Sequence, residues 1–257
     1  MNKGVLLLYS KSDKIDYEKL AHLCEKFCSK NLDLPVHIQE LSLEKTNVRT
    51  FRWAGNKEET VEWNNLDRCN AFEISPFDQT LLLDVDFFVT NNNLLNYFDG
   101  LCDFLVYDNA YDITEQNKLD DCKYMTKNNF KMLWATVCYF QKNDHVQKIF
   151  ELWKNVQDNF VYYGQLFGFS FECYRNDYAM TIANHLINGY SVENKFIGSL
   201  PSLSPLDEVV DFKENTFVTK YQRGDKQDCV LWNSSLHIMN KKCLLETEIY
   251  DKMWSCV

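Results

Sequence analysis

The chain is poor in structure breakers. Four prolines and eight glycines in 257 residues exclude a collagen-like tract and a Gly-rich linker, and no disordered segment is expected. No run of 18 apolar residues occurs, so no transmembrane helix is expected. The opening Met-Asn-Lys-Gly-Val-Leu-Leu-Leu-Tyr is briefly apolar but carries no signal-peptide cleavage pattern, and it reads as a first strand. The ten cysteines contain no Cys-x-x-Cys pair. That argues against a redox or zinc motif and for free thiols in a reducing cytoplasm. Positive charge is also scarce: 27 Lys and Arg against 37 Asp and Glu leave a net charge of −10. A general nucleic-acid coat, which relies on phosphate neutralisation, is excluded. A local basic groove from Arg49, Arg52, Lys57 and Arg68, or from Lys213, Lys220, Arg223 and Lys226, stays open. Finally, no Gly-rich phosphate loop is present, and the acids singled out below are not beside the first strand. Phosphohydrolase and nucleotidyltransferase readings lose their usual signatures.

What is present is a chain rich in aromatics, 18 Phe, 14 Tyr and 6 Trp, patterned as alternating strands and helices. Residues 4–9 are a short apolar run, 16–30 have helical spacing with Asp13 or Asp16 as cap, and 36–41 alternate. Strand, helix, strand over about 40 residues is the opening of an α/β nucleotide-binding fold. Further on, the spacing predicts a helical piece over 65–72, a short helix over 91–98 ended at Gly100, a β-rich run over 133–140, an amphipathic helix over 144–160 and another over 176–188. Short strands are expected around Val209, Phe217 and Cys229-Val230-Leu231; residues 108–129 and 212–228 are also polar stretches of the kind that close over a ligand. Trp134 and Tyr139 read as core. No repeat or domain boundary is visible, so one domain over 1–257 is expected.

One stretch asks for explanation: Leu81-Leu82-Leu83-Asp84-Val85-Asp86-Phe87-Phe88-Val89. It predicts a continuous buried strand with two acids at i and i+2, hence on one face. Burying a carboxylate is unfavourable unless hydrogen bonds or a cation compensate. A divalent cation meets that need; two acids capping the next turn are the simpler alternative.

With its lead-in Ser75-Pro76-Phe77-Asp78-Gln79-Thr80, this stretch resembles the D-x-D segment of nucleotide-sugar glycosyltransferases of the GT-A fold. Three further segments resemble that family in order: Asp67-Arg68-Cys69-Asn70-Ala71-Phe72, Tyr174-Arg175-Asn176-Asp177-Tyr178-Ala179-Met180, and Leu236-His237-Ile238-Met239-Asn240-Lys241. The Arg-Asn-Asp-Tyr-Ala piece also resembles phage-encoded glycosyltransferases. Together these segments span roughly residues 1–243.

The resemblance implies a Rossmann-like mixed sheet flanked by helices, with residues 1–90 as nucleotide-binding part and 91–257 as acceptor-binding part and metal-binding segment. It implies hexosyl or pentosyl transfer from a nucleoside diphosphate sugar, by default a UDP-sugar, to a hydroxyl. The acceptor would be a glycan or a hydroxymethylated base in phage DNA, which would need flipping. The cofactor would be Mn²⁺ or Mg²⁺, held by Asp84, Asp86 and His237, and the location cytoplasmic, that of the host if phage-encoded. Tyr9, Ser10, Arg68, Asp84 and Lys241 would contact the donor. Asp177 would be the general base, although at a helix N-terminus it is equally placed to cap. Arg68, Arg175, His237 and Lys241 each keep an ordinary structural or surface alternative. A non-catalytic nucleotide-sugar or carbohydrate-binding module of the same fold is the other function class.

Overall fold

The computed structural model describes residues 1–41, 48–53, 57–62, 66–115, 124–125, 131–168, 174–191, 195–223 and 225–257. In chain order the elements are β1 (Lys3–Tyr9), α1 (Tyr17–Leu32), β2 (Val36–Glu40), β3 (Val48–Trp53), β4 (Lys57–Glu62), α2 (Ala71–Ile74), β5 (Gln79–Leu83), β6 (Phe87–Phe88), β7 (Phe104–Tyr107), β8 (Ala110–Asp112), β9 (Trp134–Gln141), α3 (Asp144–Asp158), α4 (Phe160–Phe167), α5 (Asn176–Ile187), β10 (Leu200–Leu203), β11 (Glu208–Lys213), β12 (Thr216–Arg223), β13 (Lys226–Trp232), β14 (Leu236–Ile238), α6 (Lys241–Leu245) and α7 (Ile249–Cys256). Two 3₁₀ stretches, Leu66–Asn70 and Asn93–Asp99, complete the set.

The main sheet has the order β2-β1-β5-β9-β7. β1 pairs with β2 and β5 in parallel, while β9 runs antiparallel between β5 and β7. The expected mixed sheet flanked by helices is therefore present. Both faces are buried, which is why β1 and β5 read as unbroken apolar runs. Val5, Leu7, Leu81, Leu83 and Tyr139 face one core, shared with α1, β6 and β14. Leu6, Leu8, Leu82, Cys138 and Phe140 face the other, built on α3 and α5. The α3 stripe Val146, Ile149, Phe150, Trp153 and Val156 is buried as its spacing predicts, and Asn143 caps the helix by accepting from the Val146 amide at 2.9 Å. Asp16 caps α1 in the same way, from the Lys19 amide at 2.9 Å.

A second sheet, β6-β14-β10-β8, lies over the carboxyl edge of the first. It exists because the chain does not continue straight past Leu83. The expected strand over 81–89 breaks: the Asp84 amide donates to Thr136 O at 2.9 Å, the Phe87 amide closes a turn onto Asp84 O at 3.0 Å, and Phe87–Phe88 join β14 instead. Each acid is thereby turned towards partners on a different element, which a straight strand would not allow.

Three other expectations change. Residues 66–74 form a 3₁₀ turn and then α2, and the helix expected to reach residue 160 ends at Asp158, with α4 following. The strands expected around Val209, Phe217 and residues 229–231 are present but longer, so the polar stretch over 212–228 is mostly strand, in the antiparallel meander β11-β12-β13. Phe217, Thr219 and Tyr221 alternate inward there; two of the three carry hydroxyls, which hid the period of two. Of 108–129, residues 116–123 and 126–129 lie outside the described residues, as do the side chains of Arg49, Arg52 and Lys57.

The Ser75-Pro76-Phe77 turn is fastened beneath β1. Ser75 Oγ and Thr80 Oγ1 are 2.6 Å apart, Lys142 Nζ donates to Ser75 O at 2.7 Å, and the Asp78 amide bonds Asn2. Phe77 lies flat against Gly4, where an added Cβ would come within 2.4 Å of its ring. We expect Gly4→Ala to lower stability by about 1–3 kcal/mol through overpacking, read as the shift in urea midpoint. In a Phe77→Ala background the same change should cost nearly nothing; an equal loss in both backgrounds would place the strain elsewhere.

Candidate metal and donor site

Asp84 and Asp86 sit on the turn between β5 and β6, just past the carboxyl end of the central parallel strands. This is the edge at which α/β sheets of this kind receive ligands. The β6–β14 pairing sets His237 opposite Phe87, and the Ile238 amide donates to Asp86 O at 2.9 Å. One ligand atom from each of Asp84, Asp86 and His237 lies within 4.8 Å of the other two. Two carboxylates and one imidazole suit a divalent cation such as Mn²⁺, so these residues fit the expected metal.

The electrostatics of the two acids differ. Asp86 is buried, with Lys241 Nζ 2.5 Å from Oδ2 and His237 Nε2 3.4 Å from Oδ1. Burial alone would raise its carboxyl, but Lys241 and His237 outweigh it and hold the group well below the usual carboxylate range. Lys241 responds in kind. Burial would lower it, yet Asp86, with Tyr17 and Asp84 adding, pushes it up to about 12. Asp84 goes the other way: burial raises its carboxyl, Arg68 opposes, and neighbouring Asp86 adds to the rise.

Arg68 comes from the 3₁₀ turn and is only 1% exposed. Its Nη1 lies 2.8 Å from Asp84 Oδ1, and Nη2 donates to Ala135 O at 2.7 Å. The guanidinium is thus committed to Asp84 and the start of β9, and it reaches the crevice through Asp84. Those β9 groups are available because of a register shift: Val106 pairs with Cys138 but Tyr107 with Trp134. Such a bulge re-aims backbone groups. The Ala135 amide accordingly donates to Asp177 Oδ1 at 2.9 Å, while Arg175 Nη2 lies 2.8 Å from Asp177 Oδ2. Asp177 is in the first turn of α5, 17% exposed, and close enough to Asp84 to raise its carboxyl further.

Tyr9 and Ser10 end β1 on the same edge, both buried, with Tyr9 Oη 3.4 Å from Glu40 Oε2. Sequence reasoning missed two neighbours. Tyr17 opens α1; burial raises its phenol, Lys241 opposes, and Asp86 and Asp84 add, which puts it within electrostatic reach of the cluster. Ser202 on β10 pairs in register with His237, its Oγ 3.4 Å from Nδ1. A hydroxyl accepting there leaves Nε2 turned towards Asp86. Neither residue carries a motif, and Ser202 is identifiable only from the pairing of β10 with β14.

No protein-family model matches the chain, and no curated protein does. Solved structures with partial likeness are a glycosyltransferase involved in glycosylation of the major capsid of PBCV-1 (11% identity, 82% of this chain and 84% of that one, TM-score 0.44), the glycosyltransferase GlyE of Streptococcus pneumoniae TIGR4 (8% identity, 77% and 46%, TM-score 0.39), and the galactosyltransferase LgtC in complex with donor and acceptor sugar analogs (14% identity, 70% and 70%, TM-score 0.40). Likeness at this level carries no argument about function, which rests on the residues themselves. No helix among the described residues is long and apolar enough to cross a membrane.

The Lys241–Asp86 pair predicts a pH signature in the metal-free protein. The folded pKa of Lys241 is raised to about 12, so its contribution is fully present below the unfolded value, near 10.4, and is lost as pH rises through about 12. Lys241→Met should therefore be less stable than wild type by about 2 kcal/mol around neutral pH, with the gap closing as pH rises through that window. Urea unfolding at a series of pH values checks this; an undiminished gap at the alkaline end would assign Lys241 a packing role.

Proposed function

We propose that this chain is a metal-dependent glycosyltransferase of GT-A type. It would be a single catalytic domain over 1–257 that moves a hexosyl or pentosyl group from a nucleoside diphosphate sugar, by default a UDP-sugar, to a glycan hydroxyl in the cytoplasm. The observation that carries this reading is the convergence of Asp84, Asp86, His237 and Lys241 at the carboxyl edge of β1 and β5, on the phrase Ser75-Pro76-Phe77 to Asp86 that resembles the family's D-x-D segment.

In this reading Asp84, Asp86 and His237 would hold Mn²⁺ or Mg²⁺, which when bound supplies charge neutralisation for a departing diphosphate. Lys241, now on Asp86, is a cation that can turn to a donor phosphate. Arg68 keeps Asp84 ionisable and in place, and Asp84 offers its carboxylate to the ribose or the metal's surroundings. Tyr9 and Ser10 close the nucleoside end beside β2. Asp177 would accept the acceptor's proton, favouring inversion; the Ala135 amide and Arg175 hold its carboxylate in one orientation.

Transfer to a base in phage DNA fits less well, because a net charge of −10 repels a polyanion. A purely binding module fits less well too, because the acids, the histidine and the lysine are all retained and converge. The test is UDP release and sugar transfer by the full chain with a panel of UDP-sugars. Excess chelator should stop both and Mn²⁺ restore them, and Asp86→Ala should lower transfer by about 10²- to 10³-fold or more. Full transfer in chelator, or an unchanged rate in Asp86→Ala, would overturn the reading. Tight UDP-sugar binding without turnover on any acceptor would select the binding module.

A further inference from the structure

A second charged cluster lies on the same sheet edge. β5 and β7 both run antiparallel to β9, so they are parallel to each other, and Asp108 follows β7 as Asp84 follows β5. With β9 between them, the two positions are two strand spacings apart, about 10 Å. Asp108 is 5% exposed, and its Oδ2 is bonded by the ammonium groups of both Lys131 and Lys195. The lysines are 29% and 42% exposed.

One carboxylate needs one cation. Two ammonium groups on one oxygen repel each other and, among the described residues, leave a positive surplus in a chain whose net charge is −10. Nor are these lysines loosely placed. Lys131 O accepts from His185 Nε2 at 2.8 Å, and Leu133 exchanges bonds with the Thr181 hydroxyl through its amide at 2.9 Å and its carbonyl at 3.2 Å, fixing this approach to β9 onto α5. On the other side the Phe196 amide donates to Val106 O at 3.1 Å, holding Lys195 beside the end of β7. Two anchored, half-exposed cations sharing one buried counter-ion make a preorganised seat for a further anion. Asp177 is held by the Ala135 amide at the start of β9, the strand between β5 and β7.

From this geometry we infer that Lys131 and Lys195 form an anion seat on the acceptor side, which takes the carboxylate or phosphate of an acidic sugar whose hydroxyl faces Asp177. The role as acceptor seat rests on the transferase reading above; the seat itself does not. A single seat in an acidic chain suits one anionic group on a small carbohydrate rather than a polyanion.

The experiment follows the lysine side-chain resonances of the metal-free full chain during titration with inorganic phosphate, glucuronate, neutral glucose and a short single-stranded oligonucleotide. Phosphate and glucuronate should shift Lys131 and Lys195, and glucose should not. Lys195→Gln should weaken both anions about fivefold or more. Asp108→Asn, which raises the local surplus, should tighten them; a mere structural ion pair would lose stability without any gain in affinity. Absence of lysine shifts, or equal affinity in wild type and Lys195→Gln, would overturn the seat whatever Asp108→Asn does. Stronger displacement by the oligonucleotide than by glucuronate would replace the sugar with nucleic acid. Because donor and metal are absent, failure here leaves the transferase reading intact. A failed chelator or Asp86→Ala test would in turn leave the anion seat standing.

Discussion

Two carboxylates at the end of β5, Asp86 buried and Asp84 partly so, are the constraint on which the site depends. Neither can stay ionised there alone, and the structure answers each with a different cation. Asp84 receives Arg68, from the turn before α2. Asp86 receives Lys241 and His237, from the last segment of the chain. The second sheet is part of that answer, because β6 must leave the line of β5 for β14 to bring His237 and Lys241 across. The two acids consequently end up with opposite shifts, Asp84 raised and Asp86 lowered, although only Val85 separates them.

The start of β9 joins the two sides of the crevice, Asp84 on one and Asp177 on the other. Its bulge frees Ala135, whose carbonyl accepts from Arg68 and whose amide donates to Asp177, while Thr136 O accepts from the Asp84 amide. Three side chains from distant parts of the sequence are thus set by two consecutive residues of one strand. A change in β9 register would move all of them together. The edge as a whole reads as a row: Tyr9 on β1, Asp84 past β5, Asp177 over β9, and Asp108 with its two lysines past β7. The charge alternates along it, acids answered by Arg68, Lys241, Arg175 and the lysine pair.

The bend at Asp84–Asp86 illustrates where reading by pattern stops. An apolar run from Leu81 to Val89 carries the period of a buried strand, and both its halves are buried strand. What pattern could not supply was that the halves belong to two sheets, because that depends on where Thr136 and β14 stand. Over 212–228 the strand around Phe217 was legible but its extent was not: the inward positions of β12 include Thr219 and Tyr221, whose hydroxyls make a half-buried strand look like a polar loop.

Local chemistry therefore determined much of this protein from the sequence alone. The β1-α1-β2 opening, the cap at Asp16, the α3 stripe and the paired acids Asp84 and Asp86 were legible, because each depends on spacing within a short segment; His237 was joined to the acids only through the resemblance of its segment to the glycosyltransferase family. Tertiary structure alone decided that Arg68 serves Asp84, that Lys241 sits on Asp86, that Ser202 backs His237, and that Lys131 and Lys195 converge on Asp108. Those are pairings between segments some 16 to 155 residues apart. Strand order and register fix them, and no local pattern in a single sequence encodes which strand will lie beside which.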